Sequence, residues 1–289
     1  YGAGDQGKFV YLLDAFTGEL VRQTGSTALD DRAGMLVTDN YYFADTVGYS
    51  STSLDIDAPL NTEIQADLAG RLWATRVDDS EHGHSVLYDA GAAQPIYFSP
   101  AVSTYRQAGP FTLAAYASGS FDETDAKING STAVLDAHLF LSVSEEGSAD
   151  SQTVGIDVTD ETLLTRPDGT AFSDNTRPVS SPLTIVPAAG TPRTLYTLFD
   201  PTPTDSNCFG RSYIVAVDSS PQPPDGTTVE IQTYEVGAGK VSGFAVGEGT
   251  VVVGQSGTGG AKATILPVEN TDLLPAGGGF EVLNWRELF

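Results

Sequence analysis

Cations are scarce in this sequence. Its 289 residues hold 14 Lys plus Arg against 38 Asp plus Glu, a formal charge of −24. Nucleic acid and anionic membrane surfaces are thereby excluded as main partners, because phosphate contacts need clustered cations. Cysteine is scarcer still: Cys208 stands alone, so no internal disulfide can form. The thiol is either a buried apolar group or one half of a pair with a further segment. No run of about twenty apolar residues exists, which excludes a membrane-spanning helix. With three His and no Gly-x-Ser-x-Gly elbow, a Ser-His-Asp hydrolase has no footing. The chain begins at Tyr1 without Met or a signal-peptide pattern, and so reads as a mature or excised fragment.

Apolar residue is plentiful, at 40%, enough to bury a sizeable core. It arrives in short pieces closed by turns. Phe9-Val-Tyr-Leu-Leu-Asp14 runs through Ala15-Phe-Thr-Gly18 into Glu19-Leu-Val-Arg22, a hairpin with Gly at the position that needs positive φ. Similar pieces follow at Gly70–Trp73, Ser85–Tyr88, Ser212–Asp218, Val229–Tyr234 and Lys240–Val246. Thr250–Val253 and Ala263–Leu266 flank a glycine-rich turn. No segment carries a capped 3.6-residue apolar stripe. Asp122 to Ser131 is read as a loop because of its Gly and Asn. Many short strands between Gly, Pro, Asn and Asp indicate an all-β fold with irregular blades and long insertions. Gln152–Ser181 and Ser219–Thr227 read as surface excursions, and no linker divides the chain, so residues 1–289 are read as one domain. Four Lys (Lys8, Lys127, Lys240, Lys262) among abundant Asp, Thr, Ser and Gly suit an exported protein or one adapted to salt.

The sharpest chemical cluster is Ser53-Leu-Asp55-Ile-Asp57-Ala-Pro-Leu-Asn61. Its oxygen side chains fall at loop positions 1, 3, 5 and 9, the spacing by which a tight turn points several oxygens at a hard cation such as calcium. Position 7 would add the carbonyl of Pro59. Ala58 stands where such loops usually place Gly, and only Asp55 and Asp57 are anionic, which predicts weak, extracellular-grade affinity. The competing reading is an Asp-rich turn with its carboxylates in water.

Beyond this cluster the chain reads Glu63-Ile-Gln-Ala-Asp67-Leu-Ala-Gly70-Arg-Leu-Trp73. That resembles the "calcium loop, strand, GDL-x-GN-LW" signature of PilY-type proteins, the tip-associated adhesins of type IV pili. Further matches come in the family's order. Tyr11–Gly18 resembles its "DxxTG" hairpin, and Gln94-Pro-Ile96 with Pro100-Ala-Val102 its "QPI…P.V" segment. Ala117–Phe121 stands where the family has "GTGKY". Cys208–Asp218 resembles its late Cys-Gly strand, and Trp285–Leu288 its terminal "SWREL". The resemblance implies a modified, roughly seven-bladed β-propeller, the C-terminal domain of a larger protein at the cell surface of a Gram-negative-type bacterium. It also implies calcium held by Ser53, Asp55, Asp57 and Asn61. The implied role is non-enzymatic: pilus assembly, opposition to retraction, and adhesion from the tip. The implied partners are minor pilins, the protein's own N-terminal region, and a surface or host receptor.

Two other readings stay open. The Tyr11–Leu20 hairpin also resembles blades of quinoprotein-like dehydrogenases, and a third reading is a glycan-binding propeller with no pilus role. The remaining candidates fall to ordinary readings. Glu81-His82-Gly-His84 is read as a solvated loop rather than a zinc site, with His138 the remaining imidazole. Gly254–Lys262 is a hairpin turn rather than a phosphate loop, because its Lys falls two residues late. The adjacent acids Asp30-Asp31, Asp78-Asp79 and Glu145-Glu146 are solvated faces rather than a catalytic pair. Asn129-Gly-Ser131 matches a glycosylation sequon, which carries almost no weight in a protein of the bacterial kind the resemblance implies. Trp73 and Trp285 are read as buried beside neighbouring strands.

Overall fold

Alternation governs the strands. β8 (Phe111–Ser118) reads Phe-Thr-Leu-Ala-Ala-Tyr-Ala-Ser, and all eight residues are buried. A strand with both faces covered must lie inside a stack, because successive side chains point to opposite sides. The computed structural model describes residues 9–14, 16–25, 46–49, 61–68, 70–76, 84–91, 94–105, 111–119, 137–145, 151–186, 191–202, 210–222, 226–247, 250–257 and 260–267. Among them there is no helix, and therefore none long and apolar enough to cross a membrane.

The chain opens with an antiparallel hairpin of β1 (Phe9–Leu13) and β2 (Leu20–Gly25). Its turn is the one the sequence predicts. Gly18 has φ +70° and donates to the Asp14 carbonyl at 2.9 Å, while the Asp14 side chain accepts from the amides of Phe16 and Thr17. Four larger antiparallel sheets follow. The first is β3 (Val47–Tyr49), β4 (Thr62–Ala66), β5 (Arg71–Arg76) and β6 (His84–Asp89), each strand paired with the next. The second repeats that meander with β7 (Ala101–Tyr105), β8, β9 (His138–Glu145) and β10 (Ser151–Asp157).

The third sheet repeats it again with a broken first strand. β11 (Arg177–Pro178) and β12 (Leu183–Ile185) lie along the same side of β13 (Arg193–Asp200), which pairs with β14 (Arg211–Gln222), and that with β15 (Gly226–Ala238). The break falls just after Pro178, which has no amide to give a ladder. The Val179 amide restores contact by donating to the Thr197 carbonyl at 3.2 Å. The last sheet is β16 (Lys240–Gly247), β17 (Thr250–Gly257) and β18 (Gly260–Pro267). Only Gly239 (φ +102°) separates β15 from β16.

Successive sheets stack through opposite faces. From the second sheet, Val102, Ala114, Tyr116 and Phe140 meet Ile64, Ala66 and Leu72 of the first. Phe111, Leu113, Ala115, Leu139 and Leu141 point the other way, to Tyr196, Leu198, Tyr213 and Val215 of the third. The third sheet does the same: Leu195, Ile214 and Ala216 turn toward Val241, Val251 and Val253 of the last. Tyr116 and Phe140 stack at 5.1 Å and 16°, and the Tyr196 hydroxyl crosses between sheets to donate to the Phe140 carbonyl at 2.7 Å.

The expected excursion at Gln152–Ser181 is corrected. It begins as β10; Ile156, Val158, Leu164 and Phe172 within it are buried against the second and third sheets, and Val179 between the third and the last. Its polar residues serve the turns between those anchors. Likewise Ser219–Gln222 and Gly226–Thr227 continue the β14–β15 ladder.

Leu139, fully buried between sheets, and Leu163, 49% exposed, provide a matched test. Leu139→Ala should lower the unfolding free energy by about 2–5 kcal/mol, and Leu163→Ala should change it by less than about 0.5 kcal/mol. Denaturant unfolding of both variants measures the difference.

Candidate functional site

Of the four oxygens predicted to grip a cation, the structure describes one. Asn61 heads β4 and is buried, and its Oδ1 accepts from the Thr62 hydroxyl at 3.1 Å. Ser53, Asp55 and Asp57 lie outside the described residues. One strand further on, the segment that carries the resemblance folds into a tight corner between β4 and β5.

Asp67 organises that corner. The carboxylate is fully buried, at 0% exposure, a position a charge holds only when paired and hydrogen-bonded. Its Oδ1 accepts from the Arg71 amide at 2.9 Å; its Oδ2 accepts from Arg71 Nε at 3.1 Å and from the Trp73 indole N–H at 3.0 Å. The Arg71 guanidinium also lies 5.0 Å from the Trp73 ring centroid, a favourable cation–π placement. Trp73 is thus buried, as expected, and its polar atom is satisfied. Backbone bonds close the turn: the Asp67 amide donates to the Arg71 carbonyl and the Gly70 amide to the Asp67 carbonyl.

Gly70 is required here twice over. Its φ is +81°, and a Cβ would stand 2.3 Å from the Gly91 carbonyl oxygen and 2.6 Å from that of Gln94. The close approach exists because Gln94-Pro95-Ile96 packs onto the corner. Ile96 donates to the Asp67 carbonyl, and Ala90 donates to that of Gly70. Gln94 Oε1 accepts from the Ser118 hydroxyl, and the Pro95 carbonyl accepts from Gly119. Two stretches read separately in the sequence, Asp67–Trp73 and Gln94–Ile96, therefore form one unit that ties the first sheet to the second.

A second buried carboxylate escapes sequence reading. Asp200 ends β13 at 2% exposure. It accepts from the Ser173 hydroxyl at 2.8 Å, from the Thr202 amide at 2.9 Å, and from Arg166. Burial alone would raise its pKa; the Thr202 hydroxyl and amide, the Ser173 hydroxyl and the Arg166 charge outweigh it and hold the pKa below the ordinary carboxylate value. Arg166 also faces the Phe172 ring at 5.8 Å. The signal in the sequence is Asp-x-Thr, which among the described residues occurs at Asp157, Asp160, Asp168, Asp174 and Asp200. In every copy but Asp174 the carboxylate accepts from the amide two residues on, the turn chemistry of Asx motifs; the Thr176 amide donates instead to the Ser173 carbonyl. An open cleft of about 230 Å³ lies beside Arg166, between Leu163–Pro167 and Ile231 and Thr233 of β15.

The other candidates are dispersed. His84 lies in β6, and His82 is outside the described residues. His138 stands across from Asp157 with Nε2 3.9 Å from its carboxylate and stacks on Phe140. Among the described residues no group of three His, Cys, Asp or Glu is placed to hold a metal. Gly254–Lys262 runs strand to strand, Gly257 opposite Gly260, so β18 stands where a phosphate loop would open a helix. Of the adjacent acids, Glu145 ends β9; Asp30, Asp31, Asp78, Asp79, Glu146, Asn129, Asp122–Ser131, Cys208 and Trp285 lie outside the described residues. No protein-family model matches this chain, and no curated protein matches it.

Two outcomes test these networks. Trp73→Phe removes one donor from the buried Asp67 carboxylate and should cost about 1–3 kcal/mol in urea unfolding, while Gly70→Ala should prevent folding at ordinary temperature. For Asp200, the folded pKa lies below the unfolded one, so its stabilisation is complete above the unfolded pKa and fades as pH falls through the folded value. Asp200→Asn should therefore be less stable than wild type at neutral pH, with the gap closing below about pH 4. Unfolding curves collected across that range measure the gap.

Proposed function

We propose that this chain is the C-terminal, propeller-like part of a PilY-type pilus-tip protein, a single unit over residues 1–289 that acts without catalysis. The observation that carries the reading is the joined corner: Asp67, Gly70 and Trp73 of one resemblance-bearing segment meet Gln94, Pro95 and Ile96 of another in one hydrogen-bonded unit. The succession of four-stranded meanders stacked face to face supports a blade-like architecture. In a radial stack the core is held between sheets, so rim loops can vary for binding without disturbing it.

In this reading Ser53, Asp55, Asp57 and Asn61 hold a weakly bound calcium immediately before β4. Hard oxygen donors from one short loop suit that ion, which pins an acidic bend against its own repulsion. The protein sits at the cell surface, at the pilus tip, with minor pilins, its own N-terminal region and a surface or host receptor as partners. Its acidity matches a role that contacts neither nucleic acid nor anionic lipid.

The function is tested in the source bacterium by deleting the coding region of this chain from the whole protein. Surface pili and adherence should fall, and removal of the retraction motor should restore pili but not adherence. Unchanged piliation and adherence would overturn the assignment. The metal is tested separately by thermal melting with millimolar calcium: a rise in Tm is expected for the wild type and none for the Asp55→Ala/Asp57→Ala variant. Equal stabilisation of both would place the ion elsewhere.

A further inference from the structure

β15 is the longest strand among the described residues, with 13 residues, and among them it forms the edge of its sheet. Edge strands offer unpaired amides and carbonyls, and proteins commonly blunt them with Lys, Pro or a bulge. β15 contains no Lys, Arg or Pro. Its pairing with β14 runs unbroken from Gly226 to Glu235, the one irregularity lying at the far end near Val236. Thr228, Glu230, Gln232 and Glu235 are exposed along it.

The charges across the sheet are unevenly matched. Arg193, Asp218 and Glu230 stand opposite one another on β13, β14 and β15. Arg193 donates through Nε and Nη2 to both oxygens of Asp218, so that pair is closed. Glu230 is next in the row, beyond an acid already neutralised, and among the described residues no cation pairs with it. Glu235, by contrast, is paired with Arg211. A further strand laid on β15 would complete the row by placing a cation opposite Glu230, since opposite charges directly across strands stabilise the pairing.

We propose that the β15 edge is a docking site for an extended segment of a partner protein, which adds as a further strand and sets a Lys or Arg against Glu230. Main-chain bonds would supply affinity and the cation register. A second copy of this acidic chain is a poor occupant, because its net charge of −24 repels itself.

The test uses the whole chain and short acetylated, amidated peptides of alternating Val and Thr with a central Lys or a central Glu. Fluorescence anisotropy should show binding of the Lys peptide, with the Glu peptide weaker by about fivefold. Methylating alternate amide nitrogens of the Lys peptide should abolish binding, and Glu230→Lys should invert the preference. Hydrogen exchange should show the outward-facing β15 amides exchanging fast without peptide and slowly with it. The proposal fails if no peptide binds, if the methylated peptide binds equally, or if Glu230→Lys leaves the order unchanged. It fails too if those amides are protected without peptide, because the edge is then already occupied by this chain or a second copy.

Discussion

Burial on both faces of the central strands is the constraint on which the rest of this structure depends. A sheet covered on one side tolerates polar residues on the other. Here β8, β9, β13 and β14 send alternate side chains to two different neighbours, and each neighbour is another sheet. The small residues Ala114, Ala115 and Ala117 leave room for Tyr116 and Phe140 to stack and for the Tyr196 hydroxyl to reach across. The stack is therefore a set of mutually supporting layers. A change in one layer is felt in two cores, since interiors are close-packed and cannot absorb volume.

Such layers create a problem at their ends, where the chain must turn and leave amides without a ladder partner. The solution here is the aspartate side chain. At exposed turns Asp14, Asp160 and Asp168 accept nearby amides, and those bonds hold each carboxyl below its ordinary pKa: backbone donors lead at Asp14, the Thr162 and Thr170 hydroxyls at Asp160 and Asp168. At buried turns the same group takes on more. Asp67 binds an amide, a guanidinium and an indole, and Asp200 binds a hydroxyl, an amide and a guanidinium. The basic residues are few, and four are paired with carboxylates: Arg71 with Asp67, Arg166 with Asp200, Arg193 with Asp218 and Arg211 with Glu235. What reaches the surface is correspondingly negative.

The proposed pilus-tip role and the proposed strand docking draw on different parts of the molecule. The first rests on the corner at Asp67 and on the oxygen-rich loop before Asn61. The second rests on the open side of β15, where Glu230 lies beyond the Arg193–Asp218 pair. Neither needs a catalytic group, and the two fail independently.

Local chemistry was legible in the sequence where a turn and its flanking strands are adjacent in the chain. Asp14 to Gly18 specifies its hairpin because the bonds that make it are formed within that stretch. The all-β character, the strands at Arg71, Ser85, Ser212 and Val229, and the burial of Trp73 were readable for the same reason. The strands at Ala101, Phe111, His138 and Arg193 were not, because both their faces are covered and their polar and apolar residues do not alternate as those of a half-buried strand do. Nor was the ordering of Thr159–Thr176, which is fixed by distant anchors for Leu164 and Phe172 rather than by its own polar composition. Sequence determined which residues turn and which extend, since those choices are made by bonds across a few residues. Only the tertiary structure decided that Gly70 must face the Gly91 carbonyl, that Asp200 is buried with Arg166, and that β15 is left at an edge among the described strands. Those facts depend on which sheets meet, and long-range packing of near-equivalent apolar faces is not encoded in any short stretch of chain.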